Sequence, residues 1–592
     1  MVDLMQMRRR MMLNMEKKEY IVFADPVVEQ ICATNWGDGI GIKPSQAAMV
    51  TNLTNEFQQN TNIVSFDELE YFSGITILNY YAKTQYGTFY NCTGLVSVAI
   101  PLSVKTLYST FNGCSNLESV GSLENVEVLT MYAFRKCSNL AIDVYMPNLR
   151  TISNVAFNYA GITSISSLGN ITSIPGATSG NQGTFAQCTS LARAVLPNTL
   201  TSIGQQAFYG CTALADVSLP NGLTTIGTNS FRGCTSLITC DLPSSVTTIG
   251  NFAFYNDTAL SGEINLPNLT SLGNSAFYNC KSLSKVKSLG SITSIPGDNS
   301  NGEFRNCTGL TELDLPNTLT SIGNNAIRDC ASLVTCDLPS SITTLGQNVF
   351  YNDPLLEGEI NLPNLTSLGA NVFAKCSSIT KVKSLGSITS IPGDNSNGEF
   401  QNCTSLIEVV LPNTLTSIGT RAFFLCNNLV TCTLPQSVTT IGNMCFYGCT
   451  SLTGEIDLPN LTSIGTQTFT KTAITKIKSL GVITSIPGVG YASDGGTFHS
   501  CTSLREVTLP STLTSIGVNC FRGCSNLETL IVPATTPPSA GDQFLIETPV
   551  TLKIYVPYSA DHSILAAYQA ATRWSTYASR IYELDANGNI PT

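Results

Sequence analysis

The residues with the most obvious chemical reactivity in the 592-residue sequence are its 21 cysteines. Twelve of them end the recurring pattern A-F-x-x-C or close variants of it: Cys188, Cys211, Cys234, Cys280, Cys307, Cys330, Cys376, Cys403, Cys426, Cys449, Cys501 and Cys524. Zinc is disfavoured because the chain has only two histidines, and the C-x3-C pairs have no further cysteine or histidine partners. Equivalent cysteines of adjacent repeats would have parallel Cα–Cβ vectors, which is poor disulfide geometry. The pattern therefore predicts buried free thiols.

Lysines recur in a second pattern, K-x-K, at Lys285 and Lys287, Lys381 and Lys383, and Lys476 and Lys478. Glutamates occupy the matching position of the preceding repeat (Glu263, Glu359, Glu455) and of the following one (Glu312, Glu408, Glu506). A lysine stripe would suit ligand binding, but here the charge alternates in sign from strand to strand. We therefore favour cross-strand ion pairs that help to set the register.

Loops rich in Pro, Gly, Asn and Asp form a third pattern, at residues 175–183, 296–302, 392–398 and 487–496. Asp298, Asn299, Asp394 and Asn395 are the candidate ligand-binding residues of these loops, and with Asn301 and Glu303 the second loop carries enough oxygen atoms for calcium. Turn formation explains the same residue types, and we favour it. Tyr491, in the last loop, is a candidate contact for a sugar ring.

Enzyme signatures are missing from the sequence: it has no G-x-S-x-G, P-loop or H-E-x-x-H motif. We therefore predict no enzymatic activity, no cofactor and no metal. A net charge of −10 with 30 Lys and Arg argues against nucleic-acid binding, which needs clustered cations. No apolar run approaches about 18 residues, so no insertion into a membrane is expected.

Internal repetition dominates the sequence and must position all of these residues. Segments that start at Leu196, Leu219 and Leu242 share the pattern L-P-x-x-L-T-x-I-G-x-x-A-F, at spacings of 23 residues. Similar segments extend from about residue 66 to about 534, which corresponds to about 20 copies. A longer period lies above the first, because residues 285–304 and 381–400 are identical at an offset of 96. Periods in this range predict a solenoid.

One repeat divides into three parts with different roles. The pattern around Leu214, Val217 and Leu219 predicts a short strand that Pro220 ends. L-T-S-I-G, at residues 200–204, predicts a second extended piece. Ala207, Phe208 and Cys211 are expected to pack inward, so that stacking builds a continuous core that no single repeat can form.

These motifs resemble the 23-residue leucine-rich repeats of the BspA-like class, also found in Treponema surface proteins and their relatives. The resemblance covers nearly four fifths of the chain and implies short parallel β-strands stacked into a curved rod, mostly β and coil, with small helical caps at both ends. It also implies a non-enzymatic surface or adhesion protein of bacteria, protists or their phages.

Both ends of the array have the character of caps. We divide the chain into an extended tail (1–18), a helical N-terminal cap (19–65), the solenoid (66–534) and a C-terminal strand–helix cap (535–592). In the first cap, residues 26–36 predict a helix, and residues 37–50 resemble an EF-hand loop that has lost its ligands, with Gln46 in place of the final carboxylate. In the second, residues 551–557 predict a strand and residues 559–582 a helix.

The stacked strands are expected to present one polar, threonine-rich face for binding. Its candidate ligand-binding residues are Asp216, Ser218, Thr239, Asp241, Asp314, Thr335, Asp337, Thr431, Thr433 and Thr508. The expected partner is a protein or glycan on a cell surface, and near-identical repeats would provide avidity for a repetitive target.

The start of the sequence predicts no signal peptide, because Glu16, Lys17 and Lys18 precede any useful apolar run. We therefore expect an extracellular or virion-associated protein, such as a phage tail fibre that recognises a host, with the tail held by virion or anchoring proteins. A secreted bacterial adhesin with a misassigned start is the first alternative. A structural spacer rod is the second.

Overall fold

The computed structural model describes residues 19–78, 86–177, 180, 182–239, 241–490 and 495–591. The chain forms two compact units, Met1–Gly290 and Ser291–Thr592, called unit 1 and unit 2 below. The tail predicted at residues 1–18 lies outside the described residues. Each unit is a solenoid in which each repeat forms one coil.

Each regular coil supplies two short strands, one to each of two rows. In unit 1 the first row contains β1 (Ser65–Phe66), β3 (Ser97–Val98), β6 (Asp143–Tyr145), β8 (Ser164–Ser167), β10 (Arg193–Val195), β12 (Asp216–Ser218), β15 (Gly262–Asn265) and β17 (Leu283–Ser288). Its second row contains β2 (Ile77–Leu78), β4 (Thr106–Leu107), β5 (Val128–Leu129), β7 (Thr151–Ile152), β9 (Ser173–Ile174), β11 (Ser202–Ile203), β13 (Thr225–Ile226), β14 (Thr248–Ile249) and β16 (Ser271–Leu272).

Unit 2 repeats this arrangement. Its first row contains β19 (Glu312–Leu313), β22 (Gly358–Asn361), β24 (Ile379–Ser384), β26 (Glu408–Val410), β28 (Thr431–Thr433), β30 (Glu455–Asp457), β32 (Lys476–Ser479), β34 (Glu506–Thr508), β36 (Thr529–Ile531), β38 (Lys553–Val556) and β39 (Ile581–Glu583). Its second row contains β18 (Ser294–Ile295), β20 (Ser321–Ile322), β21 (Thr344–Leu345), β23 (Ser367–Leu368), β25 (Ser390–Ile391), β27 (Ser417–Ile418), β29 (Thr440–Ile441), β31 (Ser463–Ile464), β33 (Ser485–Ile486), β35 (Ser515–Ile516) and β37 (Ser539–Ala540).

Neighbouring strands of a row pair in parallel and in the register that the repeat predicts. In β11, β13 and β14, Ile203 lies opposite Ile226, which in turn lies opposite Ile249. These isoleucines point inward and are at most 1% exposed, whereas the preceding Ser or Thr faces outward. The period of two along each strand therefore separates core from surface.

The inward part of each coil forms ladders of identical side chains. In unit 1, the rings from Phe89 to Phe277 stack on one another with centroids 5.1–5.4 Å apart. In unit 2, the rings from Phe350 to Phe521 stack at 5.1–5.6 Å. Ala207, Phe208 and Cys211 are fully buried, as the sequence predicted. The core is therefore continuous from coil to coil within each unit.

The N-terminal cap contains α1 (Pro26–Asn35), the short α2 (Pro44–Ala47) and a 3-10 helix at Asn55–Phe57, and a further 3-10 helix at Asp67–Tyr71 follows β1. Asp25 caps α1 by accepting hydrogen bonds from the Val27 and Val28 amides. In the loop that resembles an EF-hand, the Asp38 carboxylate accepts hydrogen bonds from the Ile40 and Gly41 amides and from the Tyr20 hydroxyl. These carboxylate oxygens are therefore used to fix the turn.

The C-terminal cap contains the predicted strand as β38, but the predicted helix over 559–582 was too long. The helix α3 covers only Ser563–Ala570, and a 3-10 helix at Ser575–Arg580 and strand β39 follow it. The helix ends before Ala571, whose backbone is extended (φ −66°, ψ 144°), and two aromatic side chains of this segment reach carbonyls of the preceding coil. Tyr568 Oη donates to Ala534 O at 2.7 Å, and Trp574 Nε1 donates to Pro538 O at 2.8 Å.

Candidate functional site

The first strand row of unit 1 brings four of the predicted binding residues together around one cavity. Asp216, Ser218, Thr239 and Asp241 line a cavity of about 490 Å³. Arg193 and Asn221 line it as well, and sequence reasoning missed both. The cavity lies where the regular ladder stops, because Thr239 meets Asp216 in a single bridge and the next strand is β15.

Charge in this cavity is partly compensated by neighbours across the strands. Arg193 Nε lies 3.1 Å from Asp216 Oδ2, and Thr239 Oγ1 donates to Asp216 Oδ1 at 3.4 Å. Arg193 and Asp216 are directly opposite in the register of β10 and β12, so an alignment of the repeats could have found this arginine. The result is a polar, weakly acidic surface with hydroxyl, amide, carboxylate and guanidinium groups within one cavity.

The remaining predicted strand-face residues lie in unit 2. Glu312 and Thr335 form an isolated bridge there, which repeats the bridge seen in unit 1. Asp314, Thr335, Asp337, Thr431 and Thr433 are exposed, and Thr508 is half-buried. Thr431 and Thr433 lie opposite Glu408 and Val410, and Thr508 lies opposite Ile531. These side chains lie along the first strand row or directly after its strands, and that they form a ligand-binding face stays a prediction.

Four lysines of the K-x-K pattern pair with glutamates of adjacent coils, as the repeat predicts, whereas Lys478 pairs with Asp457 and not with Glu455. Lys381 pairs with Glu408 of the following coil at 2.6 Å, and Lys383 pairs with Glu359 of the preceding coil. Lys476 likewise pairs with Glu506 at 3.0 Å. The hydrogen bond to Glu408 raises the pKa of Lys381. The charges thus follow the strand register and form no continuous basic stripe.

The proline- and glycine-rich loops are closed by their own backbone and side chains. Gly297 bridges Gly302, and Asp298 Oδ1 accepts hydrogen bonds from the Ser300 and Asn301 amides. Asp394 accepts the equivalent bonds from Ser396 and Asn397, which lower the pKa of its carboxyl. Asn299 Oδ1 accepts from Asn324 Nδ2 at 2.8 Å, Asn395 is exposed, and Tyr491 lies outside the described residues.

Carboxylates that sequence reasoning placed on the surface, or did not consider, are buried in the core. Glu303, a candidate calcium ligand above, is fully buried, and so is Glu399, whose Oε1 accepts from the Val372 amide at 3.1 Å. Both replace a threonine, such as Thr497, in the motif G-T-F, so an alignment of the repeats with one another could have predicted that these glutamates are buried. Asp257 and Asp353 occupy the ladder position that is usually cysteine and are also fully buried. Burial raises the pKa of Asp257, Asp353 and Glu399 well above the usual values.

The cysteines are unpaired within the described residues, as predicted, and 18 of these 20 are buried. Each ladder thiol donates a hydrogen bond to the preceding coil, as Cys211 Sγ does to Phe185 O at 3.1 Å. Burial raises the pKa of the Cys211 thiol to about 12 and that of Cys501 to about 11. These thiols are therefore core residues with little thiolate character.

Parallel strands, a coil-to-coil core and recurring inward leucines and isoleucines define a leucine-rich repeat protein. Residues 60–178, 178–301, 299–396, 396–494 and 489–545 match the family described as the BspA type leucine rich repeat region. The chain therefore belongs to the BspA-type leucine-rich repeat family. Leucine-rich repeat solenoids of this kind are typically non-enzymatic binding proteins. No curated protein matches the chain.

Several solved leucine-rich repeat structures are similar to this chain at low sequence identity. A leucine-rich repeat protein from Bacteroides ovatus ATCC 8483 is 23% identical over 71% of this chain and 92% of its own, with a TM-score of 0.42. The leucine-rich repeat protein of T. pallidum is 29% identical over 31% of this chain and 76% of its own, with a TM-score of 0.23. A leucine rich cell surface protein from Faecalibacterium prausnitzii A2-165 is 19% identical over 68% and 86%, with a TM-score of 0.27.

Across the described ranges, no group of three or more His, Cys, Asp or Glu side chains is arranged to hold a metal ion. Within those same ranges, the helices are all too short or too polar to cross a membrane.

Proposed function

We propose that this chain is a non-enzymatic binding protein that contacts a protein or glycan on a cell surface through the first strand row. The single observation that carries the proposal is the cavity around Asp216, Ser218, Thr239 and Asp241. It lies on the polar face of the strands, and its hydroxyl and carboxylate groups offer several directed hydrogen bonds. Repetition of the same face in unit 2 supports multivalent contact with a repetitive target.

The binding test uses the purified full chain on arrays of host proteins and glycans. Thr239→Arg places a long cation in the cavity beside Arg193, and we expect it to weaken the strongest array signal by about tenfold or more. Thr235→Arg is the matched control, because Thr235 is an exposed threonine of the same coil that does not line the cavity.

An unchanged signal in Thr239→Arg, or an equal loss in both variants, would remove the strand row as the binding surface. Turnover of an array glycan by the purified chain would contradict a purely binding role. Circular dichroism of both variants establishes that the fold is intact.

We also propose that the chain works at an extracellular surface, on a bacterial envelope or on a virion in which it recognises the host. Family membership supports the surface location, because BspA-type repeat proteins are typically found on cell surfaces. Anchoring through residues 1–18 is part of the same proposal. Mass spectrometry of purified virions and of envelope fractions tests it: detection only in virions supports the tail-fibre hypothesis, and detection only in envelopes supports an adhesin.

A further inference from the structure

A second cavity, of about 550 Å³, lies in unit 1 away from the strand face, and we call it the recess. Ser138, Ala160, Gly161 and Thr189 contribute to it, together with three long side chains, Lys136, Tyr159 and Gln187. These residues come from three successive coils, just after the stacked rings of Phe134, Phe157 and Phe185.

The recess exists because the middle coil is shorter than its neighbours. Phe157 stacks on Phe185 and Ile165 pairs with Ala194, so both ends of the segment are aligned. In the middle coil, seven residues lie between Phe157 and Ile165. In the following coil, eight lie between Phe185 and Ala194, and in the preceding coil nine lie between Phe134 and Val144. Gly161 closes the shortened turn against the preceding coil, where a Cβ would stand 2.1 Å from Ser138 O.

Three adjacent residues at the recess also have an unfavourable backbone conformation. The second residue after the ladder phenylalanine is left-handed in coil after coil, and in the other regular coils of unit 1 it is Gly or Asn: Asn91, Gly113, Gly210, Gly233, Asn256 and Asn279. Only Gly and, less readily, Asn adopt this conformation at small cost. At the recess the same position holds Lys136, Tyr159 and Gln187, with φ of 60°, 59° and 63°. In unit 2, bulky residues such as Lys375, Leu425 and Lys471 occupy this position only singly, whereas at the recess they do so in three successive coils, and such strained clusters are typical of functional sites.

The polar groups of these three side chains are available to a ligand. Among the described residues, no carboxylate lies within ion-pair distance of the Lys136 ammonium, and neither the Tyr159 hydroxyl nor the Gln187 amide has a hydrogen-bond partner. The Gln187 amide lies over Gly210, where an added Cβ would be 2.4 Å from Nε2. Tyr159 is 42% exposed, so part of its ring is open to solvent.

We propose that the recess binds a pyranose that carries a carboxylate, such as a uronic acid at the end of a glycan. The sugar ring packs on the Tyr159 side chain, its hydroxyls bond to the Gln187 amide and to Thr189, and its carboxylate pairs with Lys136. This site is separate from the strand row of the proposed function, since the two cavities share no residue.

The test is saturation-transfer NMR on the full chain with methyl β-D-glucuronide, and with methyl β-D-glucoside as its neutral counterpart. We expect a dissociation constant on the order of 1 mM for the glucuronide, as for other single small ligands, and clearly weaker binding of the glucoside. Tyr159→Asn should abolish saturation transfer but retain the fold, because Asn is the residue that the repeat uses at this position elsewhere.

The matched control is Lys375→Asn, which makes the same kind of change at the equivalent position of a coil in unit 2. It should leave glucuronide binding unchanged. Retained binding in Tyr159→Asn, equal affinity for the two sugars, or no saturation transfer at about 10 mM glucuronide would each overturn the proposal. None of these outcomes bears on the strand row, so the two proposals fail separately.

Discussion

Two kinds of coil share the same phenylalanine ladder but differ at one buried position. In the coil of Cys211 the thiol donates to Phe185 O, whereas in the coil of Asp257 the carboxylate Oδ1 accepts from the Cys234 amide at 2.8 Å. Asp353 accepts from Cys330 in the same way at 2.7 Å. The direction of the hydrogen bond is thus reversed at the aspartates.

The super-repeat makes this difference informative. Asp257 and Asp353 occur 96 residues apart, and the next equivalent position holds Cys449. Cys449 donates to Phe423 O at 3.0 Å, as the other ladder cysteines do. The same coil is therefore built with either residue. The ladder tolerates a carboxylic acid because one of its oxygens accepts a hydrogen bond from a backbone amide. The second oxygen has no hydrogen-bond partner among the described residues.

Truncation of a ladder ring should have the largest effect and should be the same in both kinds of coil. Phe208→Ala and Phe254→Ala each remove a fully buried ring that stacks on two neighbours at 5.2–5.3 Å. We expect each to lower the free energy of unfolding by about 3–5 kcal/mol. Urea unfolding measures the loss, and hydrogen exchange of the altered coil localises it, because solenoids need not unfold all at once.

A clearly smaller loss for Phe254→Ala would contradict a shared core. It would show that the aspartate coil is already loosened around its ring.

The ladder thiols should be protected from reagents until their coils open. Burial raises the pKa of Cys211 to about 12, and a thiol with so little thiolate reacts slowly with Ellman's reagent. We expect ladder cysteines to react at least about 100-fold more slowly in native protein than in urea. Cys336 and Cys432 are half-buried, but burial raises the pKa of their thiols as well, so we expect them to be protected like the ladder cysteines. Rapid labelling of Cys211 in native protein would contradict a closed ladder.

Replacing the aspartates should have an intermediate effect that depends on pH. Because burial raises the pKa of Asp257, the folded chain keeps this proton to a higher pH than the unfolded chain. The contribution of Asp257 to the stability of the folded state is therefore fully present below the unfolded pKa of about 3.9, and it is lost as the pH rises through the raised folded pKa.

Asp257→Cys removes this loss, and we expect it to stabilise the protein by about 1–2 kcal/mol at pH 8 and by clearly less at pH 4. Urea unfolding at the two pH values measures the difference. The reverse change, Cys449→Asp, is the matched control and should destabilise more at pH 8 than at pH 4. Equal effects at both pH values would exclude a titrating carboxyl as the cause.

The repeat predicted the strands, the register and the ladders because each is specified many times over. The pairing of Lys381 with Glu408 follows directly from the register. Departures from the repeat were harder to predict. The helix predicted at 559–582 is interrupted, and Trp574 reaches Pro538, a contact that no local pattern encodes. The recess depends on one missing residue before Ile165, whose effect is visible only when the coils are stacked.

The smallest effect should come from the surface charges, where the two kinds of coil do not differ. Lys476 and Glu506 are opposite each other in β32 and β34 and pair at 3.0 Å, with roughly a third of each side chain exposed. A double-mutant cycle with Lys476→Ala and Glu506→Ala should give a coupling of about 0.2–1 kcal/mol, because solvent screens the pair. The coupling should shrink in about 1 M salt. A coupling above about 2 kcal/mol, or one that salt leaves unchanged, would mean that these surface ion pairs contribute to stability as strongly as buried contacts do.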